Sequence, residues 1–134
     1  MENTKKVTSI TTDKVRKKLA RAHVDATPIP RIIQAGWGTG GVDEEGNVLS
    51  PETTLTKVPG ELIRNNIKSA ALSEDGLGAI FIAELMPGEE GVLYQKISSV
   101  GLYDEEGDLV LVKNFTPKQM DSDSKITIEC TEEF

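Results

Sequence analysis

At 134 residues the chain has room for one hydrophobic core and not two, and with one Trp, two Tyr and three Phe that core is small. A net charge of −7 argues against nucleic-acid or anionic-membrane partners, which need a concentrated basic surface to displace counterions. The single cysteine excludes an intramolecular disulfide and a cysteine-rich metal site, and no window reaches the ~18 to 20 apolar residues of a membrane span.

Residues 1–10 are polar, carry no secretion-signal pattern, and read as a flexible tail or a short edge strand ahead of a single domain over 11–134. Synthesis in a reducing cytoplasm follows. A helix starts at Thr11-Thr12-Asp13, any of which can accept a hydrogen bond from a free first-turn amide. Val15, Leu19 and Ala22 form a narrow apolar stripe, and Thr27-Pro28-Ile29-Pro30 ends the helix by about Ala26. Lys14, Arg16, Lys17, Lys18 and Arg21 make it basic. This is read as a solvated face, with Arg16 and Lys17 kept as candidate partner contacts. His23 has no Ser, Cys or carboxylate placed to form a triad and reads as a polar helix-end residue.

Arg31 to Ala35 reads as a short strand entering Gly36-Trp37-Gly38-Thr39-Gly40-Gly41, where four glycines in six residues predict a tight turn or a flexible crossing. Trp37 is either an exposed anchor for a partner or a ring folded over the core, and Gly36, Trp37 and Gly38 are candidate contacts. The glycine run is not a nucleotide loop, because it lacks both the following helix of a dinucleotide site and a Gly-Lys-Ser/Thr. From Val42 to Pro59 the chain is a long polar loop or loose hairpin. Asp43 and Glu44 in it are further candidate contacts, since long loops in compact domains often carry function. Counting twelve positions from Asp43 or Asp104 lands on Thr54 or Phe115 and not on Glu, so neither acidic turn has calcium-loop spacing.

Glu61 to Asn66 carries no decisive signal. Ile67 to Ser73 and Ala79 to Leu85 flank Glu74-Asp75-Gly76 and predict an antiparallel hairpin. Val92 to Tyr103 and Asp108 to Phe115 predict a second, joined by Asp104-Glu105-Glu106-Gly107 as a type I turn with Gly107 at a positive-φ bulge. Its apolar residues fall on both strand faces, which predicts a hairpin inside a larger sheet or under a neighbour. Lys125 to Glu132 is a half-buried strand, with Cys130 in phase with Ile126 and Ile128 as a small buried hydrophobe. The predicted fold is α+β, one N-terminal helix with a mainly antiparallel sheet of about six strands. No catalytic residue, metal ligand or cofactor site is assigned.

The segment G-L-Y-D-E-E-G-D-L-V-L-V, Gly101 to Val112, resembles a signature near the C-terminal end of the phage tail-fibre (tail-collar fibre) N-terminal domain family. The order of the other elements, from the helix through P-I-P-R-I-I-Q-A-G-W-G-T-G-G to the last strand, is similar to that family over nearly the whole chain. Gly36-Trp37-Gly38 stands where the family typically has glycine-aspartate-glycine. The resemblance implies a non-enzymatic structural component of a phage or prophage tail, attaching a receptor-binding fibre to the baseplate. It also implies a homotrimer, other tail proteins as partners, and a final location in the virion tail. Members of this family continue into a stalk and tip, so the chain is read as a piece of a fibre or a short relative. The rival reading is a small cytoplasmic ligand-binding or adaptor module with its pocket at the glycine turn and Trp37, and an enzyme ranks third.

Overall fold

The computed structural model describes residues 8–133. The elements run β1 (Thr8–Thr11), α1 (Asp13–Asp25), β2 (Ile32–Gly38), β3 (Glu61–Asn66), β4 (Ser69–Leu72), β5 (Gly78–Leu85), β6 (Lys96–Asp104), β7 (Leu109–Gln119) and β8 (Ile126–Glu133). They form two antiparallel sheets, one ordered β1-β7-β6-β2-β3 and the other β4-β5-β8. This corrects the predicted α+β fold with a single six-stranded sheet: the described residues are mostly β, 46% strand and 11% helix. Alternation along a strand reports which face is buried but not which strand lies beside it. The chain leaves the first sheet between β3 and β4, where the Ile67 amide still bonds back to the Ile33 carbonyl and the Lys68 amide already bonds to Ile82.

The residues 1–7 of the expected tail lie outside the described residues; Thr8–Thr11 pairs with β7 as an edge strand. Thr12 caps α1. Its hydroxyl accepts from the Val15 amide at 3.4 Å and donates to the Leu109 carbonyl at 2.6 Å, so the cap also pins the helix to β7. Helix α1 ends at Ala26, which takes a left-handed conformation at φ 62° and returns its amide to Ala22.

The core lies between the sheets. On β5 the alternation places Phe81, Ala83 and Leu85 inward, against Ile126 and Cys130 of β8, and opposite Trp37, Val100, Leu102 and Leu111. Cys130 is buried as its phase with Ile126 predicts, and burial pushes its thiol pKa up. A second cluster sits on the other face of the five-stranded sheet, where Leu55 and Val58 cover Tyr103, Leu109 and Val112. Strands β6 and β7 are therefore covered on both faces, which is why their sequences are apolar at consecutive positions.

The glycine run is where expectation and structure part. Gly36, Trp37 and Gly38 do not form a turn; they are the buried end of β2, paired with β3 on one side and β6 on the other. Gly36 sits opposite Gly101. Their missing side chains leave a hollow that Val58 fills: a Cβ on Gly101 would lie 2.6 Å from one Val58 methyl, and a Cβ on Gly38 would lie 2.9 Å from the other. Glycine serves close packing here, and the chain bends only after Gly38.

Gly107 has φ 84° with nothing within 4 Å of an added Cβ, so Gly107→Val introduces backbone strain alone. Urea unfolding should show a loss of about 1 to 3 kcal/mol. Gly38→Ala would place its Cβ 2.2 Å from the Pro59 carbonyl oxygen. The same assay should show overpacking of about 1 to 3 kcal/mol, and a wild-type midpoint would mean that Val58 and Pro59 do not seat against β2.

Candidate functional site

Two polar clusters and one apolar groove gather the residues capable of recognition. The first cluster joins the helix to the signature turn. Asp104 is almost wholly buried, and its Oδ1 accepts the amides of Glu106 at 2.9 Å and Asp108 at 3.1 Å, shaping the turn. Its other oxygen lies 2.6 Å from Lys18 Nζ, which also reaches Glu106 and Asp108 at 2.8 Å each. Burial works against the Lys18 charge, but the hydrogen bonds of Asp104, Asp108 and Glu106 outweigh it and hold its pKa above the ordinary lysine value. The Lys18 hydrogen bond in turn lowers the Asp108 pKa. Three carboxylates this close could hold a cation, and the lysine ammonium lies among them.

The second cluster closes the outer face. The buried Tyr103 hydroxyl donates to Glu61 and accepts the Val58 amide at 3.0 Å, while Arg64 stacks over the ring at 3.6 Å and bonds Glu61 at 2.7 Å. Burial, then the bond to Glu61, pushes the Tyr103 pKa up to about 12. This cluster ties the start of β3 and the end of the long loop to β6. Neither cluster was legible beforehand: Lys18 and Asp104 are 86 positions apart, and Tyr103 and Glu61 are 42 apart. The alternation of carboxylates at Asp104, Glu106 and Asp108 was the one local signal, and it names no partner.

The groove, about 680 Å³, lies where α1 crosses the open end of the sandwich. Val15, Leu19, Ile29, Ile32, Phe81 and Val110 line it. Arg16, His23 and Arg31 stand at its rim, with Glu132, which accepts the Thr11 hydroxyl.

The candidate residues from the sequence are not gathered in one place. Trp37 is fully buried and donates Nε1–H to Asn65 at 3.0 Å, so of its two readings the core ring is the one observed, and it offers no anchor. Gly36 and Gly38 are enclosed as well, so none of these three residues faces a pocket. Asp43 organises an exposed turn, accepting the amides of Asn47 at 2.8 Å and Glu45 at 2.9 Å, and the Asn47 bond leads in lowering its pKa; Glu44 is exposed beside it. Beyond that turn the loop is tied to the sheet at a few points: Asn114 donates to the Leu49 carbonyl at 2.9 Å, and Val58 is buried. Arg16 and Lys17 are exposed on α1, Arg16 at the groove.

A family model described as the phage tail-collar fibre protein, N-terminal, matches residues 3–128. The chain belongs to that family. Membership makes it a phage tail component of a structural family, and among the described residues no helix is long and apolar enough to cross a membrane. No curated protein and no solved structure matches it significantly.

Removing the Lys18 ammonium should leave three carboxylates, one of them buried, repelling one another. Lys18→Met should lose about 1 to 3 kcal/mol at neutral pH, below the range for a fully buried pair because Glu106 and Asp108 are partly exposed. The depressed Asp108 pKa means that the stabilisation is present above the ordinary aspartate range and lost as pH falls through the folded value. Wild type and variant should therefore converge on acidification, and a deficit independent of pH would deny the cluster its electrostatic role. Tyr103→Phe strands the Val58 amide and a Glu61 oxygen, and should lose about 1 to 3 kcal/mol in the same assay. Because the Tyr103 pKa is raised, the stabilisation is full below pH 10 and lost as pH rises towards 12, a slope the variant should lack.

Proposed function

We propose that this chain is the attachment domain of a phage or prophage tail fibre, a non-enzymatic part that holds a receptor-binding fibre to the baseplate as a homotrimer. The family match over residues 3–128 carries the reading. The two-faced burial of the central hairpin and the polar clusters that lock loop and helix to it are in keeping with a rigid part that works by contact. Contacts are assigned to the exposed Arg16 and Lys17 of the helix and to the Asp43-Glu44 turn. Residues 11–134 act as one unit in this reading, with other tail proteins as partners.

The test uses tails assembled without their fibre. Purified, folded chain should bind them saturably and compete with intact fibre, and charge reversal at Lys17 and Glu44, both exposed and outside the groove, should weaken binding without lowering the melting temperature. Folded chain that neither binds nor competes would remove the attachment role.

A further inference from the structure

Leu72 and Leu77 flank the tip of the β4–β5 hairpin and are 76% and 65% exposed, on either side of exposed Glu74 and Asp75. The tip is held in shape: Asp75 Oδ1 accepts the Ser73 hydroxyl at 2.7 Å and the Leu77 amide at 3.0 Å, and Gly76 takes φ 75°. An apolar pair on a preformed turn loses little entropy on docking, and the two leucines leave apolar surface uncovered on both sides of one tip. The groove beside α1 is its counterpart, apolar within and carrying the exposed guanidinium of Arg16 at its edge, while Arg31 there is shared with its own Glu105 at 3.2 Å, in a chain whose net charge is −7.

The hairpin and the groove lie at the same end of the molecule. Leu72 is paired with Ala79, Ala79 with Glu132, and Glu132 lines the groove, yet neither leucine lines the groove of its own copy. The edge of β4 is also open. The Ser73 amide bonds to Gly78, so in an antiparallel ladder Ala71 and Ser69 turn their backbone groups towards β5, while Ala70 and Leu72 turn theirs outward. Among the described residues no strand pairs with that edge.

We infer that the Leu72–Leu77 hairpin tip of one copy docks into the α1 groove of a second copy, its leucines against the apolar lining and the acidic Glu74-Asp75 turn against Arg16. Each copy both gives a tip and receives one. Such a contact is heterologous and closes into a ring when its rotation permits. The inference supplies a contact for the proposed homotrimer and rests on that part of the reading.

The experiment is light-scattering mass across a wide concentration range, for wild type, Leu77→Ser, Arg16→Glu and the pair Glu74→Arg with Arg16→Glu. All three substitutions are at exposed positions. Wild type should exceed the monomer mass, Leu77→Ser and Arg16→Glu should each weaken association at least about tenfold, and the charge-swapped pair should recover part of it. A second measurement mixes Leu77→Cys with Leu19→Cys chains under mild oxidation. A disulfide between the two is expected, with the buried Cys130 not competing. A wild type that is monomeric throughout and forms no such cross-link overturns the inference, as does an oligomer indifferent to both single variants. Either result leaves fibreless-tail binding as a separate question, so failure of the contact and failure of the attachment role are told apart. If the variants lose tail binding and leave the mass unchanged, the groove takes a tail protein and not a second copy.

Discussion

The structure depends on burying a five-stranded sheet on both faces with very few aromatic side chains. One face is covered by a second sheet, which supplies Phe81, Leu85, Ile126 and Cys130. The other is covered by irregular chain, and that is the more demanding solution, because a loop must satisfy its own backbone while filling space. It succeeds by shape: Gly36, Gly38 and Gly101 leave a hollow, Val58 fills it, and Tyr103 bonds the Val58 amide from within the sheet. Larger residues at any of the three glycines would lift the loop away from the sheet.

The charged residues follow the same logic of closing one element against another. Lys18 is part of a basic helix, yet its ammonium lies within the acidic turn that joins the two central strands, so the helix docks by charge as well as by Val15. Partial burial raises the strength of that contact above an exposed pair, and the three carboxylates share one cation. The remaining cations of the helix, Lys14, Arg16, Lys17 and Arg21, face outward. A helix held at its first turn and at Lys18 stands off the sandwich along its flank, and the groove is the space left between them.

For a member of a structural tail family, these features give the architecture a mechanical sense. The hairpin that carries the family's signature is the centre of the larger sheet, and its turn chemistry serves folding, with Asp104 bonding the turn and Gly107 supplying the positive φ. Its carboxylates are turned to Lys18. The surfaces left for recognition lie elsewhere, on the helix, the groove and the β4–β5 tip.

Sequence by itself determined the local events. The helix with its cap among Thr11 to Asp13, the two hairpins, Gly107 at the bulge and the final strand with Cys130 inward all follow from turn chemistry, capping and alternation, which act within a few residues. Only the tertiary structure decided that eight strands divide into two sheets, that Gly36-Trp37-Gly38 is buried strand, and that Lys18 and Tyr103 each close a polar cluster. Those outcomes depend on which distant surfaces meet: β2 pairs with β6 and β5 with β8 across long stretches of chain. A glycine required by a turn and a glycine required by a neighbouring side chain are the same letter, and what separates them is Val58, more than twenty positions after Gly36.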